Sequence, residues 1–272
     1  MNSKYGPPWL LILVLGVILF VLTLFATMVT GNTNYLPTLL FLGSFIVPVA
    51  FVTYFYEYVK HREISIPLLT TCMVAGGSLG SVFAGVVESS AITNLNVPGL
   101  FGVGLIEEAA KLIFPIAMYL AWRYRHEADG LLFGVAAGMG FAALETMGYG
   151  LSSLIDSGGD INSLTQVLLA RGLLSPAGHA AWTGFFCAVL WRQREKKGRM
   201  VIDLPVIGAF LTAILLHAAW NINASITPAS SVGSLVSILV SVVITVVSLV
   251  LVMTRYREAR KAVIDGGLIT PE

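Results

Sequence analysis

The long apolar runs decide what this chain can fold into. Eight of them lie at approximately 9–29, 36–58, 66–88, 100–122, 130–155, 164–191, 204–224 and 232–254. Crossing a bilayer takes roughly 20 mostly apolar residues, and each run is close to that length. Backbone N–H and C=O groups facing hydrocarbon must be satisfied inside their own segment, so each run is expected to be a helix. The short alternating segments of an outer-membrane barrel are missing. Only 11% of the 272 residues are charged, against about 25% in soluble domains, which leaves too little polar surface to face water. The expected fold class is therefore all-α: a polytopic transmembrane helical bundle of about eight spans. It forms a single integral membrane domain over residues 1–272, with a short polar tail at about 255–272 that frays. The first run is longer than a signal-peptide core and no small-x-small site follows it, so it reads as an anchor.

Basic residues in short loops set orientation. One set of span ends carries Lys4, Lys60, Arg62, Arg123, Arg125, the cluster from Arg192 to Arg199, and the cluster from Arg255 to Lys261, together 14 of the 16 basic residues. The opposite loops, near 30–35, 89–99, 156–163 and 225–231, carry none. Both termini are thus expected in the cytoplasm. Trp9, Tyr56, Tyr58, Trp122, Tyr124, Trp191 and Tyr256 fall at the same ends, as an interfacial aromatic belt would. The formal net charge of +1 argues against a nucleic-acid partner. Cys72 and Cys187 both lie in apolar runs without metal-ligand spacing, and read as small buried hydrophobes.

Two basic residues break the loop rule. Lys111 lies inside the fourth run and Arg171 early in the sixth. A charge in hydrocarbon costs on the order of 3 kcal/mol on insertion scales, so each calls for a partner. Glu107 precedes Lys111 by one helical turn, and Glu108 projects about 100° around the helix from Glu107. A buried ion pair that fixes helix packing would explain Glu107 with Lys111 but leaves Glu108 without a task. Arg171 precedes Ser175-Pro176, which reads as an N-cap and a first helical proline, so the sixth run is expected to break near 175. Arg171 itself could lie at the outer headgroup level.

Other polar side chains share that depth. In the fifth run Gly130, Gly134, Gly138 and Ala142 recur every four residues, a stripe along which another helix can approach closely, and Glu145 points along it. His179 lies just beyond Pro176; His217 lies in the seventh run with Asn221 one turn on. At ~1.5 Å per residue, Glu108, Glu145 and His217 lie roughly 12, 15 and 10 Å from the outer ends of their spans. Carboxylates and imidazoles gathered in a dry layer are suited to activating water. Two histidines and a glutamate can hold a divalent metal, commonly zinc, with a position open for water, and Glu145, His179 and His217 are the right types. Asn221 can donate to a developing oxyanion.

The chain resembles the PrsW-type intramembrane proteases, and more distantly the type II CAAX prenyl proteases and bacteriocin-processing proteases. The resemblance rests on Glu107-Glu108-Ala-Ala-Lys111, on Asp129-Gly130 leading to Gly138-Met-Gly-Phe141-Ala-Ala-Leu-Glu145, on Arg171 and Gly178-His179-Ala, and on His217-Ala-Ala-Trp220-Asn221. It covers about 104–221, inside a protease-like core expected over about 100–224. Thr146 stands where the family carries Asn after its glutamate. The resemblance implies a membrane-embedded metalloendopeptidase. Glu107 and Glu108 match the paired glutamates, one of which activates water, with Lys111 beside them. Glu145, His179 and His217 match the positions offered either as metal ligands, with Zn2+ the candidate, or as partners of the base, since a Glu–His pair can activate water without a metal. Asn221 matches the oxyanion-holding Asn of the CAAX-type relatives. The implied partner is a membrane-protein substrate, in the family's founding role a single-span anti-sigma factor, and the implied location a prokaryotic cytoplasmic membrane. Two other readings are open: a proton- or cation-coupled transporter that uses the same buried Glu, Lys and His groups, and a scaffold, which needs none of them, binding a partner helix through Gly76, Gly80 and the 130–142 stripe.

Overall fold

A computed structural model describes residues 6–59, 64–226 and 230–266. Lys4, Lys60 and Arg62 of the orientation argument, and positions 267–272 of the tail, lie outside the described residues. Within them every regular element is helical: α1 (Pro8–Thr30), α2 (Leu36–Val59), α3 (Ile66–Ala91), α4 (Val97–Lys111), α5 (Ile113–Leu120), α6 (Glu127–Asp156), α7 (Ile161–Leu174), α8 (His179–Lys197), α9 (Leu204–Ser225) and α10 (Ser231–Asp265). Among the described residues seven stretches are long and apolar enough to cross a membrane, with α7 and α8 counted as one. The chain is a multi-pass, all-α membrane protein.

The expected span at 100–122 is the exception, because it is not one helix. It divides into α4 and α5 at Leu112 (φ −82°, ψ −7°). Pro115 explains the break: it has no N–H to offer the carbonyl four residues back, which belongs to Lys111. Pro48 is tolerated inside α2, which continues past it. The sixth run breaks where expected but by other means. Ser175 does not N-cap the next helix but closes α7 as its C-cap; its hydroxyl donates back to the Gly172 carbonyl at 2.9 Å, residues Ser175–Ala177 form a 3-10 turn, and α8 starts at His179.

Helix α6 is the axis of the bundle, with 20 buried residues from Glu127 to Leu154. Its glycine stripe faces α8. A Cβ on Gly130 would stand 2.6 Å from the Cys187 carbonyl, one on Gly134 2.6 Å from the Thr183 carbonyl, and one on Gly138 would strike the His179 carbonyl. On the other side α3 approaches as closely: a Cβ on Gly77 would lie 2.5 Å from the Gly140 backbone, while Gly76 and Gly80 abut Phe114 and Phe141. Both small-residue stripes are therefore used inside the chain, which removes them as landing strips for a partner helix. With no apolar solvent effect to drive helices together in lipid, such backbone-to-backbone approach is what supplies the packing attraction.

Two further expectations change. The tail does not fray at 255: α10 runs on to Asp265, because Tyr256, Ala259 and Val263 form a buried stripe. Tyr256 packs on Tyr54 and Phe55 at centroid distances of 5.7 and 5.1 Å. The aromatic belt is also only partial, since Tyr124, Trp191 and Tyr256 are buried in the bundle rather than turned to lipid. Cys72 and Cys187 are buried and unpaired, the Cys72 thiol donating to the Phe133 carbonyl at 3.3 Å.

Candidate active site

Four helices bring polar side chains to one place because each carries its group where close packing forces it inward. The break after Lys111 ends α4 with Glu107, Glu108 and Lys111 all buried, Lys111 completely. The glycine stripe lets α8 approach α6 so closely that His179, its first residue, meets Glu145. Gly104 lets α9 approach α4, with the Ile214 carbonyl 3.3 Å and the His217 Cβ 3.6 Å from where its own Cβ would stand.

The result is two Glu–His–cation groupings side by side. In one, Glu108 Oε1 accepts from Lys111 Nζ at 2.6 Å and lies 2.9 Å from His217 Nδ1, while Glu108 Oε2 accepts from the Thr183 hydroxyl at 3.2 Å. In the other, Glu145 Oε2 lies 3.0 Å from His179 Nε2 and 2.7 Å from Arg171 Nη2. The histidine rings meet edge to face with centroids 5.3 Å apart. Glu107 stands between the groupings, its Oε2 3.4 Å from Lys111 Nζ and 3.6 Å from His217 Nε2. That oxygen is buried without a hydrogen-bond partner, and so is His179 Nδ1.

An ionised carboxylate only accepts hydrogen bonds, so the Glu108–His217 bond fixes a tautomer. Glu108 takes the Nδ1 proton of His217 and leaves the Nε2 lone pair facing Glu107. Glu145 Oε2 meets His179 Nε2 as an ion contact rather than a hydrogen bond, and that oxygen, like His179 Nδ1, is buried without a hydrogen-bond partner. The Glu108 bond is of the kind by which outer carboxylates orient metal-binding histidines. One donor atom each from Glu107, His179 and His217 lies within 4.8 Å of the others. Ligands on a common tetrahedral zinc would stand about 3.3 Å apart, so a modest contraction closes the set. Residue types alone group Glu145 with the two histidines; in the structure it is the donor atom of Glu107 that lies with those of both histidines, and Glu145 stands against His179 Nε2.

These groups form one wall of a cavity of about 620 Å3, also lined by Glu88, Tyr149, Arg171, Trp182, Trp220 and Asn221. Glu107, Glu145, His179, His217 and Asn221 all reach it, whereas Glu108 and Lys111 do not. Several participants take partners that the sequence does not name. Arg171, offered as a headgroup residue, is the partner of Glu145 and lies over the Tyr149 ring at 4.1 Å. Thr183 holds Glu108. Trp182 stacks on the His217 ring with centroids 4.8 Å apart, and its indole N–H donates to Ser248 of α10 at 2.8 Å. Glu88 is the sole charged residue of α3, a signal that could have drawn attention to it.

No curated protein and no solved structure matches the chain. A family profile does: that of the PrsW family intramembrane metalloprotease, over residues 6–252. It spans nearly the whole described bundle, α1 and most of α10 included, and not only the motif-bearing helices. A membrane-embedded Glu/His centre able to hold a metal is the chemistry such an enzyme needs, and this chain belongs to the PrsW family of intramembrane metalloproteases.

Proposed function

We propose that the cavity cleaves a membrane-protein substrate, with Glu107 as the group that takes the proton from the attacking water and returns it to the leaving amide nitrogen. What supports this choice over Glu108 is a single contrast. Glu107 lines the cavity and keeps an oxygen free of hydrogen bonds, while Glu108 does not line it and is saturated by Lys111, His217 and Thr183. A base must reach the proton it abstracts before its pKa matters.

Glu107, His179 and His217 would hold the metal, with Zn2+ the choice that suits two imidazoles and a carboxylate. A carboxylate has two oxygens, so Glu107 can serve as ligand through one and as proton acceptor through the other. Bound there, the ion would supply Lewis-acid activation of water and of the scissile carbonyl. Glu108 and Glu145 orient the two histidines. Lys111 and Arg171 balance the charge that those carboxylates bring into the bundle. The Asn221 side-chain amide donates to the oxyanion that develops as water adds to the carbonyl.

The whole chain is taken as one membrane domain whose catalytic groups come from about 100–224, with both termini cytoplasmic. In that orientation the cavity, lined by the ends of α3, α7 and α9, opens near the outer boundary of a prokaryotic cytoplasmic membrane. A single-span, anti-sigma-factor-like protein cut on that side fits the site. The proton- or cation-coupled transporter is not favoured, because family membership points to proteolysis.

The test is co-expression of the full chain with a single-span candidate substrate. Glu107→Gln is expected to lower cleavage on the order of 10³-fold, and His179→Ala or His217→Ala to abolish it together with bound metal in the purified protein. Cleavage at the wild-type rate in all three variants would refute the mechanism.

A further inference from the structure

At the end of the bundle away from the cavity lies a second, smaller hollow of about 270 Å3, lined by Trp122, Arg125, His126, Arg194, Glu195 and Gly198. Its floor holds the most deeply placed arginine among the described residues. Arg194 is 2% exposed, yet only Nη1 is satisfied, donating to the Tyr119 carbonyl at 2.6 Å. Nε and Nη2 are buried without a hydrogen-bond partner. The aromatic rings of Tyr119, Trp191 and Trp122, at 4.4, 5.2 and 5.3 Å from its Cζ, hold the guanidinium in place without accepting those protons. Burying a charged group with two donors unused is costly, so such a site calls for an acceptor.

The rest of the hollow suits an anion. Trp122 adopts a left-handed backbone (φ 61°), unusual for a bulky residue. That turn aims its carbonyl at Arg125 Nε, 3.0 Å away, and sets the exposed Arg125 guanidinium on the rim. The one acid of the lining, Glu195, is already committed: Oε1 lies 2.8 Å from His126 Nδ1 and Oε2 accepts the Glu127 N–H at 2.9 Å. Two guanidiniums therefore face a space whose only lining carboxylate is engaged elsewhere.

We propose that this hollow binds a phosphate-type oxyanion, held between Arg194 and Arg125. Guanidinium forks match phosphate oxygens better than any other side chain. The acceptor could be carried by a lipid headgroup or arrive as free phosphate; the chemistry recognised is the same. The site lies apart from the catalytic cavity and does not depend on the proteolytic reading.

The experiment uses the full-length protein in nanodiscs of phosphatidylcholine alone, with added phosphatidic acid, or with inorganic phosphate in the buffer, following thermal unfolding and lipid retention by native mass spectrometry. Wild type is expected to be stabilised by phosphatidic acid if the headgroup is the source, and by inorganic phosphate as well if the anion alone suffices. Arg125→Gln, at the exposed rim, should weaken binding about tenfold, the worth of a single charge-assisted hydrogen bond. Arg123→Gln removes the same charge at the same end but outside the hollow, and should leave binding unchanged. Arg194→Gln should abolish binding where it folds. Stabilisation by neither additive, or equal losses in Arg125→Gln and Arg123→Gln, would overturn the proposal.

Discussion

The two Glu–His–cation groupings contain the same kinds of side chain and behave as different devices. Lys111, Glu108 and His217 expose 0%, 2% and 3% of their side chains, whereas Arg171, Glu145 and His179 expose 29%, 18% and 13%. In the first, Glu108 and Lys111 are sealed off and only His217 reaches the cavity, whereas all three members of the second line it. Charges taken wholly out of solvent are stable only as a complete set, so the sealed grouping holds helices α4 and α9 in place and fixes one histidine. The open grouping lines the cavity and is only partly buried. Location, not composition, separates anchoring from reactivity here.

The largest expected effect falls on the sealed side. Lys111→Met removes the cation from two buried carboxylates, and breaking a buried pair in this way costs about 3–5 kcal/mol. The variant should accumulate poorly and unfold at markedly lower temperature in detergent. If its thermal unfolding matched wild type, the sealed grouping would not be an anchor. On the open side Arg171→Gln should cost stability by no more than about 1 kcal/mol, since the pair is partly exposed. Its cleavage rate should nevertheless fall by roughly 10–100-fold through the loosened Glu145–His179 contact. A variant that lost stability and kept its rate would reverse the contrast.

The smallest effect lies outside the membrane, where a third ion pair serves as reference. Asp203 caps α9, its carboxylate accepting from Lys197 Nζ at 2.7 Å and from the Val206 N–H at 3.3 Å. The Lys197 hydrogen bond holds its carboxyl below the usual carboxylate range, aided by the Val206 N–H. A depressed folded-state pKa contributes stability above the unfolded value and loses it as pH falls through the folded one. Hydrogen exchange at the start of α9 should therefore quicken only in acid, below the ordinary carboxylate range. Asp203→Asn should flatten that dependence; an unchanged profile would show that the pair does nothing for the helix start.

Much of the site is legible one helix at a time. Glu107 and Lys111 at a one-turn spacing, Glu145 along a glycine stripe, and His217 followed by Asn221 are all periodicity arguments, and periodicity survives in lipid because every span must be helical. Relations between helices are not legible. Nothing local says that Glu107 rather than Glu145 approaches both histidines, that Arg171 turns inward to Glu145, or that Trp182 links His217 to Ser248 of a span that looks like plain hydropathy. The helix ends are equally opaque. Pro115 splits a run that composition reads as one span, and the buried stripe at Tyr256, Ala259 and Val263 carries α10 beyond its apolar stretch.

By itself, then, the amino-acid order determined that this chain lives in a bilayer, that it crosses repeatedly as helices, and which ionisable residues it buries, since apolar length and stray charge are properties of single segments. Tertiary structure alone decided which carboxylate faces the cavity and which is locked behind it. That choice turns on how closely α8 and α9 approach their neighbours at Gly138 and Gly104, a matter of a few tenths of an ångström that no single helix encodes.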